Sequence, residues 1–233
     1  MRKCLLLPLL AALVAGCGSS SNSSGTPPTE VTVSTAVVTN PAPRTALTVF
    51  RVQDGKLHAE AASVPHTTAV ASAALRVLGL DAPVTIAGGT AQVALDTASP
   101  DEVAEIVYTL TRFPSVERVD VAGRTSLTRD DVASYVPPIL IESPGASAEV
   151  PRAIHVTGTA SVFEATLVVE LVADGKVVDK QTVTASEGAP ARGTFETTLQ
   201  SPGPGPVTVS AFAPSAENGL PQHQVDVPVV VTP

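Results

Sequence analysis

The sequence predicts a two-part fold: an α+β N-terminal segment, in which a small sheet carries two packed helices, followed by an all-β sandwich. Three observations predict it. Between residues 46 and 135, short strand patterns are interrupted by two stretches whose apolar residues recur at helical spacing. Between residues 138 and 232, strand patterns follow one another at short intervals, with Pro- and Gly-bearing turns between them and no helical stretch. An apolar leader and a polar spacer precede both, so the folded part begins near residue 46.

The leader is residues 1–17. Arg2 and Lys3 form a basic start, Leu5 to Val14 an apolar run interrupted by Pro8, and Leu13-Val14-Ala15-Gly16-Cys17 its end. This is the layout of a secretory signal peptide. The run is far short of the roughly 20 residues that a spanning helix needs. Its ending resembles a bacterial lipobox, which implies cleavage before Cys17 and lipid, palmitate included, on the cysteine. Two or more acyl chains suffice for stable anchoring. The implied location is the outer face of the cytoplasmic membrane, with the membrane held as a partner through Cys17. Cys4 lies in the segment to be removed, so no cysteine pair is left for a disulfide.

Residues 18–45 read as a disordered tether. Gly18 to Gly25 is almost entirely Ser and Gly, and Pro27, Pro28, Pro41 and Pro43 follow among Thr and Val. Such a composition buries too little apolar surface to offset the entropy of ordering.

The formal charge of the whole chain is −8, and loss of Arg2 and Lys3 leaves 12 basic against 22 acidic residues. An acidic exported chain repels nucleic acid, so no nucleic-acid partner is expected. The hydrophobic content of 44% is enough for real cores, built from Val, Ala, Leu and Ile because Trp is absent and only two Tyr and five Phe occur.

In the first segment, 46–135, Leu47 to Val52 predicts a strand, Asp54-Gly55 a tight hairpin turn, and Lys56 to Val64 the returning strand. Thr67 is positioned to cap a helix whose Ala71, Ala74, Leu75 and Leu78 share one face, and Gly79 ends it. Val84-Thr85-Ile86 predicts a strand and Gly88-Gly89 a turn. Thr90 to Asp96 then alternates, with Ala91, Val93 and Leu95 on one side. Ser99-Pro100-Asp101-Glu102 carries a capping box with Pro at the first helical position. The helix it starts places Val103, Ile106, Val107 and Leu110 on one face and ends at Phe113-Pro114. Val116 to Val121 predicts a strand, and a short helix after Thr128, with Asp131 at its third position, precedes Pro137-Pro138.

In the second segment, 138–232, strands are predicted at Ile139–Ile141, Ala153–Thr159, Thr166–Ala173, Lys176–Ala185, Thr194–Leu199, Val207–Phe212 and Gln224–Val231. Pro144-Gly145 and Asp174-Gly175 supply turns. Seven short strands with such turns argue for a β-sandwich.

Two stretches carry family resemblances. The run from Ile106-Val107-Tyr108-Thr109-Leu110-Thr111-Arg112-Phe113-Pro114 to Val119 resembles the hallmark of the GerMN domain of spore-germination and envelope lipoproteins, and Gly88 to Asp96 resembles the turn and strand before it. The link Leu80-Asp81-Ala82-Pro83 is shorter than that family's usual loop. Ile141-Glu142-Ser143-Pro144-Gly145, Val156 to Ala160, Val162-Phe163-Glu164-Ala165-Thr166, Gly193 to Glu196 and Ser215 to Gly219 resemble the immunoglobulin-like domain of bacterial spore germination. The resemblances imply an immunoglobulin-like sandwich behind a GerMN-like domain, on an exported lipoprotein of sporulation or germination. The GerMN resemblance further implies a capacity for side-by-side self-association.

Catalytic patterns are lacking. No G-x-S-x-G, H-E-x-x-H or phosphate loop occurs, and His58, His66, His155 and His223 are scattered singly. No enzyme activity, cofactor or metal is expected. Asp120, Asp130 and Asp131 lack calcium-loop spacing and read as turn or cap residues. Two residues stand out as candidates for interaction. Tyr108 reads as a core or corner residue with its hydroxyl at a polar edge. Glu164 reads either as a carboxylate accepting backbone hydrogen bonds at a turn or as a partner contact. The functional expectation is a non-enzymatic envelope protein acting on other envelope proteins or on itself. The alternative is a cell-wall or glycan-binding lipoprotein, which the scarcity of aromatic residues disfavours.

Overall fold

A computed structural model describes residues 42–233 of the chain; the leader, Cys17 and most of the spacer lie outside the described residues. Among the described residues strand is the main regular structure, with two α-helices and two short 3-10 turns.

Strands β1 (Arg44–Gln53) and β2 (Lys56–Pro65) form an unbroken antiparallel hairpin. Asp54 and Gly55 both take positive φ at its turn, the geometry that matches the twist of paired strands. Helix α1 (Val70–Val77) follows and buries Ala71, Ala74 and Leu75. Thr67 does not cap this helix, contrary to expectation. The N-cap is Ala69, without a side-chain cap, and the Thr67 hydroxyl accepts the Ala69 N–H at 3.1 Å. A hydroxyl bonding its neighbour two residues on closes a turn instead of a helix end. Gly79 does end α1: at φ +90° it lets its own amide reach Arg76 O and that of Leu80 reach Leu75 O, the paired bonds of a Schellman motif.

A second sheet holds β3 (Val84–Ala87), β4 (Thr90–Val93), β5 (Arg118–Val121) and β6 (Arg124–Leu127) in that order, with β4 and β5 parallel. Between β4 and β5 runs α2 (Pro100–Leu110), started by the expected capping box: the Ser99 hydroxyl accepts Glu102 N–H at 3.2 Å and the Glu102 carboxylate accepts Ser99 N–H at 2.7 Å. The strands before residue 136 thus form two sheets, a ribbon and a four-stranded sheet, with one apolar cluster joining them to α1 and α2. Strand β4 stops at Val93, short of the predicted Asp96. The predicted last helix is a 3-10 turn at Asp130–Tyr135, in which Asp131 accepts the Thr128 N–H and hydroxyl at 2.8 and 2.9 Å.

The rest is two sheets packed face to face. One contains β12 (Gly193–Gln200), β9 (Ala153–Ala160) and β7 (Ile139–Ser143). The other contains β11 (Lys176–Thr184), β10 (Thr166–Ala173), β13 (Gly205–Pro214), β14 (Pro221–Val231) and the two-residue β8 (Glu149–Val150). Inward residues alternate along strands such as β9 and β10, where Leu167, Val169 and Leu171 of β10 are fully buried.

Strand β7 belongs to both parts. Ile139 and Ile141 enter the sandwich core, whereas Leu140 between them enters the cluster formed by the ribbon and helices. Period-two alternation therefore makes one strand the wall between two cores, and all three side chains are at most 1% exposed. Backbone bonds reinforce this seam. Ala61 N–H donates to Ala146 O at 2.9 Å, and Ala146 N–H to Ala59 O at 2.8 Å. Gly145 allows the approach, since a Cβ there would lie 2.7 Å from the backbone of Glu60 and Ala61.

Candidate functional site

Two places concentrate polar and aromatic side chains: the seam between the two cores and the end of the sandwich where β9 turns into β10.

At the seam, α2 brings Tyr108 beneath the ribbon. Its ring meets that of Phe50 edge to face at 5.4 Å, and the Arg129 guanidinium lies 4.6 Å from its centre. Tyr108 is 3% exposed, and burial pushes its phenol upward from the ordinary value. It is a core residue and offers no open surface. Phe113 forms the turn that follows the helix: its N–H bonds Leu110 O and its carbonyl accepts from Val116.

Around Tyr108 stands a cluster that sequence reasoning did not assemble. The Glu142 carboxylate takes Arg112 Nη1 at 3.0 Å on one oxygen and Arg129 Nη1 at 2.9 Å on the other. Arg129 Nε donates to Thr111 Oγ1 at 2.9 Å. Nearby, Arg192 donates to Pro137 O at 2.7 Å and Thr159 Oγ1 at 3.2 Å, and burial lowers its pKa from the usual guanidinium range. The Glu142 side chain is only 12% exposed. A carboxylate held by two cations, each with further fixed partners, is committed to structure. Arg112 lies in one of the stretches that carries a family resemblance and Glu142 in the other, so the two motifs meet in space.

The ribbon's outer edge is closed by the same helix. Phe50 N–H donates to Thr109 Oγ1 at 3.0 Å, and Val52 N–H to a Glu105 carboxylate oxygen at 2.8 Å. Residues 105 and 109, one turn apart on α2, thus meet amides two apart on β1, in place of a further strand. Burial raises the Glu105 pKa.

The sandwich end is built differently. A 3-10 turn at Phe163–Ala165 joins β9 to β10, with Glu164 at φ +53° and Ala165 at φ +56°. Consecutive left-handed residues without glycine are uncommon. They are held by Ala165 N–H to Val162 O, Ala185 N–H to Ala165 O and Ala189 N–H to Val162 O, at 3.2, 2.8 and 2.9 Å. Gly188 packs close below, where a Cβ would meet Ala165 N at 2.9 Å. The turn reading of Glu164 is therefore half right. The turn exists, but backbone amides hold it, and the exposed Glu164 carboxylate takes no hydrogen bond among the described residues. Beside it Phe163 is 70% exposed. A groove of about 420 Å³ runs from Phe163 to the loop between β13 and β14.

The remaining candidates do not converge. His66 Nδ1 sits 3.4 Å from Thr45 Oγ1, while His155 and His223 lie on separate strands. Among the described residues no three His, Cys, Asp or Glu side chains come together in metal-holding geometry. Asp120 accepts the Ser126 N–H at 2.7 Å. A cleft of about 390 Å³ at the seam is lined by Arg51, His58, Glu60, Ser147 and Asp226, but Arg51 and Glu60 are already paired at 2.6 Å. No helix of the described residues is long and apolar enough to cross a membrane.

Comparison with known proteins agrees with the second half. Residues 138–220 match the family described as the immunoglobulin-like domain of bacterial spore germination. No curated protein matches the chain. Among solved structures, the crystal structure of an engineered protein is 21% identical, with a TM-score of 0.30, over 51% of this chain and 22% of that one.

Proposed function

We propose that the protein is a lipid-anchored, exported envelope protein that works by contact with other proteins or with itself, not by catalysis, in a process of spore germination or sporulation. The observation that carries this reading is the match of residues 138–220 to the germination family. The GerMN-like stretch before it supports the same assignment, because that resemblance is also to envelope lipoproteins. The architecture supports a contact role. The seam spends its charged and aromatic side chains on joining two cores, which holds the surfaces of both parts in a fixed relation, as an assembly module requires. On this reading the membrane is a partner through lipid on Cys17, and the spacer lets the folded part stand off from it.

Two measurements test it. Light scattering with size-exclusion, on a chain beginning near Ala46 and over a range of concentrations, reports self-association. A discrete oligomer supports assembly, and a strict monomer moves the weight to a different partner protein. Cys17→Ser is expected to shift the full chain from the membrane fraction to the soluble exported fraction. Retention in the membrane would overturn the lipid anchor.

A further inference from the structure

We infer that the sandwich end formed by residues 161–165, 185–190 and 214–222 is the docking surface, and that its partner is a different protein presenting an apolar socket ringed by Lys or Arg. This rests on the reading of the chain as a contact protein and names the surface that makes the contact.

Four observations converge there. Phe163, at 70% exposure, and Leu220, at 62%, are the two most exposed large apolar side chains of the described residues. They flank one loop: Phe163 lines the groove against Pro214, Ser215 and Glu217, while Leu220 O accepts the Ser215 N–H at 2.9 Å. Leaving both in water costs hydrophobic free energy that a socket would recover.

The backbone presents Phe163 deliberately. The two left-handed residues after it, with Gly188 beneath, fix the turn so that the ring stands outward while Val162 and Ala165 on either side are buried. An anchor held in place before binding loses less entropy on docking. The Ser215–Leu220 loop is likewise fixed, by Gly219 N–H to Ser215 O at 2.8 Å and Leu220 N–H to Asn218 Oδ1 at 3.0 Å.

The charge names the partner. Glu164, Glu187 and Glu217, one on each of the three segments, are all exposed, and none forms an ion pair among the described residues. The three segments hold no Lys or Arg, and the nearby Arg192 is engaged with Pro137 and Thr159. A second copy would bring the same three carboxylates face to face, and an anionic membrane would repel them; a basic rim complements them.

The experiment uses the full lipidated chain in its native envelope, with the photoreactive residue p-benzoylphenylalanine placed singly at 163, at 220, or at Ile86 on the opposite part. The expected result is one discrete adduct to another protein from 163 and 220, with Lys or Arg at the linked segment. Its yield should fall at least tenfold in the variant E164K/E187K/E217K and severalfold on raising the salt from about 0.15 to about 0.5 M, as exposed charge pairs are screened. An adduct of two copies, a lipid adduct, a charge-insensitive adduct or none from these positions would overturn the inference. An adduct from 86 alone would overturn it while leaving the contact reading in place. All substituted side chains are exposed, so melting temperatures are expected to stay at the wild-type value, and folding failure is checked on the same samples.

Discussion

The seam and the sandwich end use the same kinds of residue to opposite ends. At the seam, charges are paired, the aromatic rings of Tyr108 and Phe50 are buried, and edge amides have side-chain acceptors. At the sandwich end, three carboxylates stand unpaired and Phe163 and Leu220 face water. What differs is whether other elements among the described residues pair and cover these groups. Charge and aromaticity alone therefore do not separate a structural cluster from an open surface; whether each group is paired and covered does.

The most direct way to break the contrast is at Glu142. Glu142→Ala leaves Arg112 and Arg129 facing each other without their shared carboxylate. Both guanidinium groups are about a third exposed, so the penalty is below that of a fully buried pair, and a loss of about 2–3 kcal/mol is expected in urea unfolding. Phe163→Ser, by contrast, is expected within about 0.5 kcal/mol of wild type. Equal losses at the two positions would erase the distinction between a structural and an open site.

Next comes Gly145→Ala. The new methyl would sit 2.7 Å from backbone atoms of Glu60 and Ala61, which cannot rotate away, so the strand-to-ribbon contact must open. About 2 kcal/mol is expected. Hydrogen exchange adds a local readout: the amides of Ala61 and Ala146 should lose protection while those inside β10 keep theirs. Uniform loss would mean that the seam and the sandwich unfold as one event.

Much of this was legible in the sequence, and the exceptions share a cause. Strong local chemistry is readable: the Asp54-Gly55 and Asp174-Gly175 turns, the Ser99 capping box, the Gly79 stop and the seven predicted sandwich strands all appear where expected. Strands β6 and β8 were not readable. Arg124-Thr125-Ser126-Leu127 carries no apolar alternation, and Glu149-Val150 is a strand only because β14 lies beside it. The Ile139-Leu140-Ile141 run reads as an ordinary strand, and its division between two cores follows only from the elements packed on its two faces. Arg129 and Glu142 are not legible as a pair because nothing local in the sequence joins them. The exposure of Phe163 has no sequence signal either, because it follows from the left-handed turn after it.

A smaller effect is expected from Thr109→Val, which removes the oxygen that accepts the buried Phe50 amide while nearly keeping the shape. An unpaired buried amide costs about 1–2 kcal/mol. Thr109→Ser retains the hydroxyl and should restore most of it; if Val and Ser behave alike, the edge bond contributes nothing and the helix closes the ribbon by packing alone.

The smallest effect, and the most diagnostic, is in the pH dependence of two glutamates on α2. Glu102 has its pKa lowered, first by the Ser99 backbone hydrogen bond. Its ionised form favours the fold, so its contribution is present above the unfolded glutamate range and is lost as pH falls through the lowered value. Glu105 has its pKa raised, chiefly by burial, against the opposing pull of the Val52 amide and Arg51. Between the unfolded and folded values the native state holds the extra proton, so stability falls as pH rises through that window. Glu105→Gln keeps an acceptor for Val52 without the buried charge. Relative to this variant, the wild type should gain stability on acidification from pH 7 towards 4, whereas relative to Glu102→Gln it should lose stability. Urea midpoints across that range would separate the two slopes. If both differences ran in the same direction, the Glu105 carboxylate would be solvated and the closure of the ribbon edge by α2 would rest on Thr109 alone.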